Sequence, residues 1–469
     1  MNNMSSLQET LTASGGAESA GFINDIIAQL WPNINVAGGQ MVKDIVEPML
    51  EQMLPGPLAN LKFVKADFGN EPLKLSHVDV HRTPQEGIKL DMNLDWDGKC
   101  DFELDASMVP KIGIEHVKLR GRLSVLLCPI TNVMPLIGAA QVAFINPPSI
   151  ELDFTDAANI ADFSIIDKTI RKVILNIISS MAVLPNRFLV NMSSNNDYFK
   201  TFQPHLGVLR LTKKSGAKRL LQKIVKDIPD CYCDVTVGAE GEWRTSTIKN
   251  KHDPKWNETH DFLVTDYEQQ ITIDINDEDL GGDDDIGIAT TTVKQLLLNG
   301  GTQELSLSHK GQPVDTRVTI HGKFFNFVGE TNSISASSQN EGEICGLATV
   351  LIASVSGLNG NRDELKPSVK VTWGDKEFVT PVKSYSPGTD IFNPSFDSAF
   401  RFPITAEQLS SPSSFRLVLQ NGKSEQGTVD IPFNDVSGAD GMVHEGEFDV
   451  GSGVSVRARV AIRGLQLAE

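Results

Sequence analysis

From Ile88 onward the chain alternates apolar and polar residues with a strictness that leaves few folds open. Ile88, Leu90, Met92, Leu94 and Trp96 interleave with Lys89, Asp91, Asn93, Asp95 and Asp97. Cys100, Phe102 and Leu104 alternate with Asp101, Glu103 and Asp105, and Val117, Leu119, Gly121, Leu123 and Val125 continue the pattern. Successive side chains of a strand point to opposite faces, so these are long antiparallel strands with one apolar and one polar face. Helical patterns flank them. Residues 21–54 keep helical spacing in Phe22, Ile26, Ile27 and Leu30, and again in Ile45, Met49 and Leu50, with Pro55 and Pro57 as stops. A last helix is expected over about 165–182, with Ile170, Val173, Ile174, Ile177 and Ile178 on a broad apolar face. Residues 17–200 therefore read as one α+β domain after a polar, disordered 1–16. Residues 204–328 and 343–466 read as all-β, joined by a Ser/Asn/Gly-rich linker at 329–342. Asp253-Pro-Lys-Trp-Asn-Glu258 and Asn393-Pro-Ser-Phe-Asp397 echo one another before apolar strands, which suggests a duplicated module.

A net charge of -18 argues against general nucleic-acid binding, though local patches still decide membrane docking. Five cysteines without a C-x-x-C pair fit neither a zinc site nor a disulfide framework, and favour a reduced, cytosolic setting. The sequons at Asn191 and Asn257 are then idle. Residues 123–145 are uncharged and long enough to span a bilayer, but Pro129, Asn132, Pro135 and Gln141 interrupt them. Alternation on either side predicts two strands joined by a Pro-containing loop.

Between 274 and 285, seven of twelve residues are acidic. The run follows the alternating Ile271, Ile273 and Ile275 and closes at Ile286-Gly287. Calcium takes hard oxygen ligands from loops rich in carboxylates. Asp277 and Asp279 are two apart and can face one ion, Asp284 returns after Gly281-Gly282, and Asp230 offers a carboxylate from a second loop. The plainer reading is a solvated acidic loop. Upstream, Lys213, Lys214, Lys218, Arg219, Lys223 and Lys226 surround the apolar Leu220, Leu221, Ile224, Val225 and Ile228. Lys218, Arg219, Lys223 and Lys226 are candidate contacts to anionic lipid, at about 1 kcal/mol each near the surface.

Gly207-Val-Leu-Arg-Leu211, Asp230-Cys-Tyr232, Asp253-Pro-Lys-Trp-Asn-Glu258, Asp277-Glu-Asp279 and Asp284-Asp-Ile-Gly287 together resemble a C2 domain. The resemblance implies an eight-stranded sandwich whose loops bind Ca2+ and dock on an anionic membrane surface. It places Asp230 in the first binding loop and Asp277, Asp279 and Asp284 in the third. The family's further Asp, six residues before Asp230, is Ile224 here, and Asp227 is the nearest substitute. The last segment resembles a degenerate C2 domain without a calcium site: Lys366-Pro-Ser-Val369 and Leu417-Val-Leu-Gln-Asn-Gly-Lys-Ser-Glu-Gln-Gly427 stand where the acidic motifs would be.

The first domain carries Glu18-Ser19, Phe22-Ile-Asn24, Gln29-Leu-Trp-Pro32, Ile45-Val-Glu-Pro48, Gly121-Arg-Leu-Ser-Val125, Phe144-Ile-Asn-Pro147 and Leu184-Pro-Asn-Arg187. In this order it resembles the synaptotagmin-like mitochondrial lipid-binding domain of extended synaptotagmins, tricalbins and plant synaptotagmins. The resemblance implies an elongated tubular lipid-binding (TULIP-like) half-barrel that forms a homodimer. Its apolar groove would hold a bound glycerophospholipid and move it at membrane contact sites, those between endoplasmic reticulum and plasma membrane included. Met92, Leu94, Phe102, Val125, Val142, Phe144 and Ile177 are the expected groove lining, against the plainer reading of a dry core. The family's N-terminal membrane anchor has no counterpart in 1–16, so either the sequence is a piece of a longer chain or the protein is peripheral. A non-transferring tether whose first domain only dimerises is the alternative. No G-x-S-x-G, H-E-x-x-H or phosphate loop supports an enzyme.

Overall fold

The computed structural model describes residues 17–468 except 19, 55–59, 84–86, 107–108, 156–162, 194–195, 216–227, 280–281, 331–332 and 335–342. The first domain is one curled antiparallel sheet with helices across its apolar side. Its strands are β1 (Ala17–Glu18), β2 (Lys62–Asp67), β3 (Lys74–Thr83), β4 (Gly87–Ala106), β5 (Val109–Ile130), β6 (Ile137–Phe144), β7 (Ser149–Thr155) and β8 (Phe188–Asn191). They run in the order β1-β3-β4-β5-β6-β8, with β2 added to β4 and β7 to β5. The alternating segments are β4 and β5, paired from Ile88↔Leu127 to Ala106↔Val109. The uncharged 123–145 stretch is the end of β5, a loop and β6, with Leu123 opposite Phe144. No helix among the described residues is long and apolar enough to cross a membrane.

Helix α1 (Gly21–Met41) passes through a π turn, Val42–Val46, into α2 (Glu47–Met53), and α3 (Phe163–Ala182) precedes the Leu184–Arg187 turn. The first helix buries Trp31, whose Nε1 donates to Gly69 O at 2.9 Å, and Asn24 exchanges two hydrogen bonds with the Leu75 backbone. The spaced residues Phe22, Ile26 and Leu30 point outward instead, at 66%, 53% and 50% exposure. Helical spacing marks a real apolar stripe, but one that this chain leaves uncovered.

A short linker with α4 (Tyr198–Thr201) leads to the middle domain. It holds β9 (Gly207–Ser215), β10 (Cys231–Val237), β11 (Glu242–Arg244), β12 (Glu258–Val264), β13 (Gln270–Asp277), β14 (Asp284–Thr292), α5 (Val293–Leu298), β15 (Thr302–His309) and β16 (Gln312–Val328). Strands β12-β9-β16 face β11-β10-β13-β14 across a core centred on Val235, Ile273, Ile275 and Phe262. The last domain repeats the design with β17 (Ile344–Ser356), β18 (Pro367–Trp373), β19 (Lys376–Val379), β20 (Ser395–Thr405), α6 (Ala406–Ser410), β21 (Phe415–Asn421), β22 (Ser424–Ile431), α7 (Phe433–Ser437), β23 (Val443–Gly451) and β24 (Val454–Leu467). The two sandwiches are continuous, because β16 pairs with β24 from Phe325↔Leu467 to Val328↔Gly464.

The middle sandwich also packs against the first domain, and the last sandwich packs on the α4 linker. Lys89 Nζ reaches Asp266 at 2.5 Å and Asp91 at 2.9 Å. Asn146 accepts from Gln270 N–H at 2.7 Å and donates to Glu268 O at 3.1 Å. Arg457 pairs with Asp197 at 3.2 Å, and Arg459 donates to Phe199 O at 2.9 Å. The polar face of the alternating strands is thus solvated only in part. Asn93, Asp95 and Asp97 are exposed, whereas Asp91 is buried beneath the next domain.

Candidate functional site

The concave side of the first sheet gathers most of the expected lining residues. Met92, Leu94, Phe102, Phe144 and Ile177 are buried in one apolar cluster, between 2% and 8% exposed. Val125 packs against that cluster while half-buried, as do Leu123, Ile174, Ile178 and Met181. Val142 faces Val125 in register and is half-buried, outside the cluster. The cluster therefore grades from sealed positions near Phe102 to part-open ones between β5 and α3.

At the middle domain the acidic run sits at one end of the sandwich. Cys231 pairs with Asp277, and Asp277 with Asp284, so three strand ends bring Asp230, Asp277 and Asp284 to a common edge. Gly287 closes the loop at φ +145, where a Cβ would come 2.8 Å from Ser308 O, so only glycine fits the return strand. The carboxylates are held by the protein's own donors. Asp230 N–H donates to Asp277 Oδ1 at 2.7 Å, Asn250 N–H to Asp230 Oδ1 at 2.8 Å, and Tyr232 OH to Asp283 Oδ2 at 2.7 Å. Burial, then that bond to Asp283, pushes the Tyr232 hydroxyl pKa up to about 12. Asp277 is 2% exposed, while Asp279 and Asp284 are exposed.

Among the described residues no three acidic, His or Cys side chains stand together closely enough to hold a metal ion. The donor set suits calcium in kind, being all oxygen and drawn from two loops. Asp227, Lys218, Arg219, Lys223 and Lys226 lie outside the described residues, as does Ile224.

Lys213, grouped above with the docking cations, is instead 1% exposed. Its Nζ lies 3.6 Å over the Trp256 ring and hydrogen-bonds Cys233 Sγ. Burial lowers its pKa, with Cys233 opposing the shift. The basic alternation hid this inward-facing strand residue. All five cysteines are buried.

The acidic edge lies opposite the seam with the first domain. Strand β13 meets the seam at Gln270 and the acidic edge at Asp277, so about 20 Å of strand separates them at ~3.3 Å per residue.

Residues 16–193 match the family model for the synaptotagmin-like mitochondrial-lipid-binding (SMP) domain, and residues 208–307 and 346–448 match that for the C2 domain. The chain carries an SMP domain followed by two C2 domains and is similar in this to the extended synaptotagmins. It is 29% identical over 280 residues to Extended synaptotagmin-2 of Mus musculus, covering 58% of this chain and 33% of that one. The Homo sapiens protein of the same name gives 29% identity over 280 residues, 58% of this chain and 30% of that one. The chain thus spans about a third of the length of the curated relatives it matches. The solved structure of the SMP domain and two C2 domains of Extended-Synaptotagmin 2 shares the fold, with a TM-score of 0.67 at 22% identity over 96% of this chain and 100% of that one. The architecture is an SMP half-barrel, a lipid-binding domain by its family model, followed by two C2 sandwiches.

Proposed function

We propose that this chain is a non-enzymatic lipid-transfer protein. The SMP domain shields the acyl chains of a glycerophospholipid, and the first C2 domain brings it to anionic membranes in response to calcium. The observation that carries the cargo reading is the part-open apolar strip of Leu123, Val125, Ile174, Ile178 and Met181 beside the sealed cluster. Each acyl CH₂ taken out of water there gains about 0.8 kcal/mol, so shelter alone suffices to carry a lipid.

Calcium, when bound, supplies positive charge at the acidic edge. Asp230, Asp277, Asp279 and Asp284 would hold it, and without it their charge repels anionic lipid. The exposed row of Phe22, Ile26 and Leu30 supports homodimerisation through α1, because a second copy would remove it from water. The working location is a peripheral one, at contact sites between two membranes.

Lipid extraction and mass spectrometry of the purified full chain tests the cargo claim. Stoichiometric glycerophospholipid, reduced when Val125 and Ile178 are both changed to Asp, is expected. An empty protein would leave the tether, with an SMP domain that only dimerises.

A further inference from the structure

Between the first domain, the linker and the second C2 domain, a cleft of about 400 Å3 is lined by Pro185, Asn186 and Arg187 and by strand β20. Two arginines line it, and both are incompletely satisfied. Arg187 Nη1 and Arg401 Nε are buried without a hydrogen-bonding partner. Arg401 Nη2 donates to Pro185 O at 3.3 Å, which ties it to the turn that carries Arg187. Burial lowers the pKa of both guanidiniums, and the charge of Arg401 adds to the effect on Arg187.

The neighbouring carboxylates Asp266, Asp91 and Glu240 lend the arginines counter-charge but make their hydrogen bonds elsewhere. Glu240 lies 3.1 Å from His205, Asp266 and Asp91 share Lys89, and Glu240 also accepts from Thr265 at 2.5 Å. Asp397, the one carboxylate in the lining, accepts from Asn191 at 3.2 Å. Guanidiniums stay charged in proteins, and buried like charges with unmet donors are costly.

An oxyanion in the cleft that both residues line would offer acceptors to these donors once the guanidiniums turn toward it. Arginine's planar fork matches the oxygens of phosphate, and the cleft falls in the size range of ligand sites, about 300–1,000 Å3. Met181, Leu189 and Phe202 add an apolar wall beside the arginines. We propose that Arg187 and Arg401 bind a phosphate group in this cleft, and that the bound anion pins the SMP domain to the second C2 domain. The site adjoins the apolar strip at Met181 and lies away from the acidic edge, and the inorganic phosphate arm of the test separates it from the cargo reading.

Calorimetric titration of the full chain with inorganic phosphate and with monomeric dihexanoyl phosphatidic acid tests the proposal. Saturable 1:1 binding of at least one probe is expected, together with a rise in thermal midpoint. Affinity should fall about tenfold or more in Arg401→Gln and in Arg187→Gln, the loss of a charge-assisted hydrogen bond. Arg401→Lys, which keeps the charge but loses the fork, should bind with an intermediate loss and covers the case in which a Gln variant fails to fold. Binding of the short-chain lipid alone assigns the site to a headgroup, and binding of inorganic phosphate alone assigns it to the free ion. No saturable binding of either probe, or equal affinity in wild type and the folded variants, overturns it.

Discussion

The two C2 domains solve the same corner of the same fold with opposite chemistry. In the first, Asp230 N–H donates to Asp277 Oδ1 at 2.7 Å and Glu278 N–H to Asp230 O at 3.0 Å. In the second, Lys366 N–H donates to Asn421 Oδ1 at 2.6 Å and Gly422 N–H to Lys366 O at 2.9 Å. The backbone scheme is preserved while two carboxylates become a lysine and an amide. The hairpin differs as well. Asp277 pairs with Asp284 across a long acidic loop, whereas Asn421 pairs with Ser424 across a tight turn at Gly422-Lys423. One carboxylate oxygen of Asp277 therefore serves folding, and the comparison separates that structural duty from any duty toward a cation.

The largest expected effect is on calcium response. Asp277→Asn with Asp279→Asn should abolish calcium-dependent binding to phosphatidylserine vesicles, while Asn421→Asp in the second domain should create none. Dependence that survives the double change would place the calcium site elsewhere.

Next comes the seam. Asp266→Ala removes the nearer of the two carboxylate partners of Lys89 and should destabilise the full chain by about 1–3 kcal/mol in denaturant titration, because the buried ammonium keeps only Asp91. A change within experimental error would mean the domains dock without that pair.

The pH dependence of the same seam follows from its two partners. Burial opposes both charges, but Lys89 holds the Asp266 pKa below its usual value, and Asp266 and Asp91 hold Lys89 above its own. The Asp266 contribution is full above its unfolded value, about 4, and is lost as pH falls through the lower folded one. The Lys89 contribution is full below about 10 and is lost as pH rises through the higher folded one. Thermal unfolding from pH 2 to 9 should therefore show an acid limb that shrinks in Asp266→Ala; an unchanged limb would assign it to other carboxylates.

The smallest effect addresses the shared corner. Asp277→Ala and Asn421→Ala should each cost about 1–3 kcal/mol by leaving a backbone N–H unmet, and Asp277→Asn much less. Equal losses for Ala and Asn at position 277 would mean that charge, not the hydrogen bond, holds the first corner.

Much of this was legible in the residues. Alternation from Ile88 to Val125 foretold β4 and β5, because a period of two survives whatever packs on either side. The resemblance carried the order of domains. What alternation could not convey was which polar faces a later domain covers. Lys89 and Asp91 look like Asp95 and Asp97 in sequence, and only the chain's return at Asp266 distinguishes them. For the same reason Lys213 passed for a surface cation, and Phe22, Ile26 and Leu30 gave no sign of which way they face. Asn146 and Arg187 stood within the family strings, yet Asn146 meets Gln270 and Arg187 feels the charge of Arg401, both far along the chain.

Whether calcium at the acidic edge of the first C2 domain controls membrane binding is decided by sedimentation of the full chain with phosphatidylserine vesicles. With calcium present the protein should pellet with the vesicles, and with chelator it should remain largely in the supernatant. Equal pelleting in both conditions would contradict the claim and leave the run at 274–285 a solvated loop.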